Sequence, residues 1–279
     1  MQCEGSGDGG IQAAKTGDEG LRVATLSLLG ALSSALCAPA HGQELAQFKI
    51  LKLEGHNVRW QAPVSGPRVV TYRIASDTVE SPDARNCRKI TKLDGLLASS
   101  ELSTAVVREE IAAAFRMWEE AGDLLFREAT GNAPADILIG AQGEPEGWAF
   151  ADVFYDAASP EPIKPISRAL VCLNPLRPWK VGFDGDLKSY DIRYTVAHEI
   201  GHAIGLDHPQ GFGQIMGYRY EERFRSLQPG DVRGAALLYG PPRQAGPAEV
   251  AVEHARNQAA PIPQDGERLG TRGFTARSR

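Results

Sequence analysis

The chain has only four cysteines in 279 residues, and none of them form a C-x-x-C pair. That excludes a disulfide-dense scaffold and argues against a zinc site built from cysteines. It also lacks a basic excess: 30 Lys and Arg stand against 35 Asp and Glu, a net charge of −5. Nucleic acid is therefore not expected as the main partner. There are no internal repeats, and the longest uncharged apolar stretch is short for a membrane span. Methionine is scarce, with three in the chain, and so is histidine, with six. The histidines are not scattered. Three of them fall within Thr195–Pro209, which reads TVAHEIGHAIGLDHP.

That stretch places His198, Glu199, His202, Gly205 and His208 in the pattern H-E-x-x-H-x-x-G-x-x-H. Residues four apart on a helix share one face, so His198 and His202 can aim at one point. Zinc (Zn2+) accepts imidazole nitrogen, and a catalytic site keeps three protein ligands and an open position. Gly205 is placed to end the helix, because the turn there needs a left-handed backbone. The chain can then bring His208 back as third ligand. Glu199, beside the first histidine, is positioned as general base toward an activated water. A bare H-E-x-x-H arises by chance on amphipathic helices. The full pattern has a chance rate on the order of 10⁻⁵ in a chain of this kind.

Residues 1–20 are rich in Gly, Asp, Glu and Gln and are expected to be disordered. Val23 to Cys37 is an apolar run followed by Ala38-Pro39-Ala40, the pattern of a secretory signal, with Arg22 as positive flank. A lipidated Cys37 and a buried helix are the competing readings of that run. Residues 1–42 are thus read as a lead and signal peptide, 43–56 as a short linker, 57–241 as the folded domain, and 242–279 as a disordered tail rich in Pro, Gly, Ala, Gln and Arg.

Within the domain, strands are expected at Val69–Ile74, Leu124–Phe126, Ala135–Ala141, Gly147–Tyr155 and Arg168–Asn174. Thr104–Ala121 reads as a helix with Val107, Ile111, Phe115 and Trp118 on one face, a core stripe with no chemistry assigned. Tyr190–Leu206 reads as the helix of the histidine motif and Pro229–Tyr239 as a closing helix, while residues 76–103 and 177–190 read as irregular connections. Asp184-Gly185-Asp186 in the second of these is either a calcium (Ca2+) ligand cluster or a solvated turn. Cys87 and Cys172 are the two cysteines inside the domain and either pair in an oxidising compartment or stay as buried thiols.

Taken together, the extended histidine helix, Met216 eight residues after His208, and the strand–helix–strand lead-in resemble the metzincin metalloproteases, and most of all the matrixins. VVTYRI is similar to their first strand, AFRMWEEAGDLLFRE to their first helix and second strand, and ADILIGA to their third strand. The resemblance spans residues 57–241. It implies an α+β fold of the α/β-type metzincin kind: a twisted, mostly parallel sheet with an antiparallel edge strand, an active-site helix and a C-terminal helix.

The same resemblance implies a zinc endopeptidase acting on a protein or peptide, which the signal-like run makes secreted or periplasmic; a monomer is expected. His198, His202 and His208 are then the zinc ligands and Glu199 the base, with Met216 an apolar floor beneath the metal. Tyr218 or Tyr220 is a candidate for transition-state stabilisation, or a packed residue of the pocket wall. The substrate is expected to add as a strand along residues 147–153, and the loop 209–225 to form the pocket wall. The chain departs from the better-known matrixins in two respects. It has no P-R-C-G motif, and no histidine lies between residues 57 and 197 to hold a second zinc. A catalytically silent zinc-binding module of the same fold is the alternative.

Overall fold

The computed structural model describes residues 48–61, 63, 68–131 and 133–242. The expected signal peptide and nearly all of the expected C-terminal tail lie outside these residues.

In chain order the elements are β1 (Lys49–Ile50), β2 (Lys52–Leu53), β3 (His56–Arg59), β4 (Val69–Ile74), β5 (Val79–Glu80), β6 (Lys89–Thr91), α1 (Asp94–Ser100), α2 (Thr104–Glu119), β7 (Leu125–Glu128), β8 (Ile137–Gln142), β9 (Ala149–Tyr155), β10 (Lys164–Leu173), β11 (Trp179–Lys180), β12 (Tyr190–Asp191), α3 (Ile192–Ala203), β13 (Leu206–Asp207) and α4 (Pro229–Tyr239). The main sheet runs β2-β3-β10-β8-β4-β7, with β7, β4, β8 and β10 parallel. β9 lies antiparallel to β10 and pairs with no other strand among the described residues. This is the mostly parallel sheet with an antiparallel edge strand that the sequence implies.

Residue chemistry explains the layers. Every residue of β8 is buried, as expected for a parallel strand covered on both faces. On one face lie α2 and α3. Val107, Ile111, Phe115 and Trp118 of α2 join Val196, Ile200 and the sheet residues in one core. The Trp118 indole spends its single N–H on the Ala197 carbonyl at 2.9 Å, which docks α2 directly onto α3. On the other face a smaller cluster contains Ala75, Ile90, Leu138, Leu170 and the disulfide between Cys87 and Cys172.

Several boundaries differ from expectation. The second half of the expected linker is structured: β1, β2 and the start of β3 fall within residues 49–56. Residues 76–103 contain the β5–β6 hairpin and α1, and residues 177–190 contain β11 and the first residue of β12. These pieces are too short to show a period, and α1 (DGLLASS) carries Gly and Ser that weaken helix propensity. β10 begins at Lys164, so Pro165 lies inside a strand. It sits near the strand's first residue, where a missing N–H is tolerated, and its carbonyl accepts from Asp156. The motif helix starts at Ile192 rather than Tyr190, because Asp191 caps it by accepting from the Tyr194 N–H at 2.8 Å. α4 keeps its expected bounds, with Pro229 in the first turn and Asp231 completing a capping box with Gln228.

Candidate metal centre and cleft

The helix α3 delivers His198 and His202 on one face, and the chain beyond it returns His208 to them. The His208 Nε2 lies 3.0 Å from His198 Nε2 and 3.2 Å from His202 Nε2. The return depends on Gly205, whose φ of +97° is left-handed, and whose missing Cβ would lie 2.3 Å from the Val58 carbonyl oxygen. His198 Nδ1 is 2.7 Å from the Ile215 carbonyl and His202 Nδ1 is 2.8 Å from the Leu206 carbonyl. A carbonyl only accepts, so each Nδ1 carries the proton and each Nε2 presents a lone pair to the common centre. Removal from water pushes His198 well below the usual histidine range, and the neighbouring imidazoles add to it. Burial and the His208 imidazole push His202 down to about 4. Burial lowers His208 as well, so removal from water favours the neutral form of all three rings. Three imidazoles converging in this way could hold a metal ion, and they match the donor set that zinc accepts.

Met216 follows Ile215, whose carbonyl holds His198, and is 2 % exposed. Its turn is held by one buried carboxylate. Asp231 accepts from the Ile215 N–H at 2.8 Å and the Met216 N–H at 3.0 Å. Gly201, between the two helical histidines, leaves the space for the thioether: a Cβ there would lie 2.1 Å from Met216 Sδ.

Glu199 points into the same cleft and is buried. Burial raises its carboxyl to about 8, with the Asp152 carboxylate adding to the effect. The cleft is about 630 Å³ and runs between the edge strand β9 and the loop after Met216. Trp148 to Ala151 line one side, and Gly217 to Tyr220 the other.

The two candidate tyrosines behave differently. Tyr218 is 80 % exposed, and its ring meets His208 edge-on at 5.3 Å. The Tyr220 hydroxyl is engaged elsewhere. It donates to Glu222 at 2.9 Å and accepts from the Asp191 N–H at 2.9 Å. Its ring stacks on Tyr190, which in turn stacks on Trp148 at 3.7 Å. The Asp184-Gly185-Asp186 turn holds a side-chain cation. The Lys180 ammonium contacts Asp184, the Asp186 carbonyl and Glu222.

Two groups of site residues escape a reading of the motif alone. One is the aromatic wall of Trp148, Tyr190 and Tyr194. Tyr194 is four residues before His198, so its place on the same face is legible from spacing. The other is an ionic tie with no local signature. Arg225 reaches both Asp191 and Glu110, and Glu110 also takes a two-pronged contact from Arg193. It links α2, the start of α3 and the segment before α4 across more than a hundred residues of sequence.

The family model for matrixin matches residues 95–240, more than half of the chain. The chain belongs to the matrixin family. Matrixins are zinc metalloendopeptidases. Relatives include rat stromelysin-3, 30% identical over 205 residues that make up 64% of this chain and 39% of that protein. Human matrix metalloproteinase-21 is 32% identical over 165 residues, 53% of this chain and 26% of that protein. Mouse matrix metalloproteinase-19 is 29% identical over 150 residues, 50% of this chain and 26% of that protein. This matrixin therefore spans well under half the length of the curated relatives it matches.

Proposed function

We propose that this matrixin is an exported zinc endopeptidase whose domain spans residues 57–241 together with the strands just before it. The observation that carries the reading is the convergence of His198, His202 and His208 Nε2 atoms beside the buried carboxyl of Glu199. Zinc held by these three histidines would supply Lewis acidity for a peptide carbonyl and for water.

The rest of the chemistry belongs to the protein. An extended substrate adds to the outer edge of β9, which pairs with no further strand among the described residues, so that main-chain bonds give affinity without reading sequence. The cleft between β9 and the wall shields the scissile bond from bulk water. Glu199, as the carboxylate, takes the proton from water and then hands it to the departing amine. Tyr218, exposed beside His208, is free to meet the developing charge, whereas Tyr220 supports the wall.

Export is supported by the Cys87–Cys172 disulfide, which fits an oxidising compartment, and by the signal-like run at Val23–Cys37. Among the described residues no helix is long and apolar enough to cross a membrane. The test is metal analysis joined to an assay on an unfolded protein such as casein. One zinc per chain, with cleavage lost to a chelator and restored by zinc, is the expected result. A zinc-loaded protein that cleaves nothing overturns the reading.

A further inference from the structure

The matched matrixin region begins at residue 95, yet the metal centre leans on a strand that lies well before it. β1 pairs antiparallel with β13, the two residues just ahead of His208, with Lys49 opposite Asp207 and Ile50 opposite Leu206. Leu51 continues the contact, its N–H donating to the Gly205 carbonyl at 2.8 Å. Two of these partners hold the histidines directly. The Leu206 carbonyl is the acceptor that fixes the His202 Nδ1 proton. Asp207 Oδ1 accepts from the His208 backbone N–H at 2.8 Å, and Asp207 Oδ2 meets the Lys49 ammonium at 2.6 Å.

His208 needs this support more than the other two ligands do. His198 and His202 ride on α3, and each ring is oriented by a carbonyl on its Nδ1. The nearest Asp207 carboxylate oxygen to His208 Nδ1 is 3.8 Å away, too far for a hydrogen bond. Its ring is therefore positioned through its backbone, and that backbone is set by Asp207 and by β13. We propose that β1 is a strap that positions the metal ligands, with Lys49 and Asp207 as positioning residues for His208 and the Ile50–Leu206 pair as the backing of His202. A chain can then carry the whole histidine motif and still hold zinc weakly if the strap is disturbed.

The inference rests on the zinc reading of the site, and the test separates the two. Zinc dissociation constants are measured by chelator competition on the full chain for wild type, Lys49→Glu, Lys49→Arg, Asp207→Ala and Leu51→Pro. Unfolding of each metal-free protein is followed alongside, and visible spectra of the cobalt-substituted forms report ligand geometry. Loss of an orienting partner typically weakens metal binding about 10- to 100-fold. Asp207→Ala and Leu51→Pro are expected to weaken zinc binding about tenfold or more, and Lys49→Glu several-fold. Lys49→Arg is expected to bind as wild type does. The cobalt spectra of the weakened variants should change while metal-free unfolding of the Lys49 variants barely moves. Equal zinc affinity and unchanged cobalt spectra in Lys49→Glu and Asp207→Ala overturn the strap, whatever happens to Leu51→Pro. If wild type itself binds no zinc, the metal reading fails instead.

Discussion

Gly201 and Met216 are packed so closely that one added methyl group has no room between them. A Cβ on residue 201 would stand 2.1 Å from Met216 Sδ and 2.9 Å from the Trp118 ring. Both neighbours are buried, so neither can swing into solvent. Gly201→Ala is therefore an overpacking change at the floor of the histidine site, of a kind that costs about 1–3 kcal/mol. Urea unfolding should show that loss, and zinc affinity should fall with it because the floor is pushed toward the histidines. Unchanged midpoint and affinity would mean that the thioether is not wedged there.

The buried carboxyl of Glu199 makes a prediction about pH. Its value of 4.5 in a solvated chain rises to about 8 in the folded, metal-free protein. Between those limits the folded state holds a proton that the unfolded state has released. Stability is fully present below about pH 4.5 and is lost as pH rises toward 8, at about 1.4 kcal/mol per pH unit. Glu199→Gln removes that dependence. In chelator, the variant should gain about 2–3 kcal/mol on wild type between about pH 5 and pH 7. Parallel stability profiles would refute the raised carboxyl.

The Cys87–Cys172 disulfide joins the segment before β6 to the central strand β10, across 85 residues of sequence. Cross-links of that span commonly contribute about 2–5 kcal/mol. Cys87→Ser with Cys172→Ser should lower the urea midpoint accordingly and leave zinc stoichiometry unchanged, since the bond lies on the sheet face away from α3. A variant as stable as the parent would show the bond to be ornamental.

Arg225 is expected to matter for stability and substrate alike. It is the cation between the buried carboxylates of Asp191 and Glu110. Arg225→Met leaves Asp191 without its side-chain counter-charge and Glu110 with Arg193 alone. Breaking such a buried pair costs about 3–5 kcal/mol. Because Asp191 caps α3 and its N–H donates to the Tyr220 hydroxyl of the cleft lining, KM for peptides should rise as well. A change in neither quantity would remove this tie from the account.

How much of this was legible in the sequence varied with the range of the interaction. The histidine pattern and Gly205 act through local spacing, so their convergence follows from helix geometry and one left-handed turn. The strands Val69–Ile74 and Ala149–Tyr155, and the helix Pro229–Tyr239, carry enough β-branched, aromatic or capping residues to be read within two residues of their bounds. What escaped depends on partners far away. β1 is two residues long and gains its meaning only from β13. The Arg225–Glu110 contact spans 115 positions. The Asp184-Gly185-Asp186 sequence leaves a calcium cluster and a solvated turn open, and Asp184 in fact meets the Lys180 ammonium. Such pairings leave no periodic trace along the chain.

The most direct test is Glu199→Ala in the full chain, assayed for bound zinc and for cleavage of casein. The account predicts one zinc per chain, held by the three untouched histidines, and no detectable cleavage above the chelated wild type. A Glu199→Ala protein that cleaves casein at the wild-type rate would contradict it.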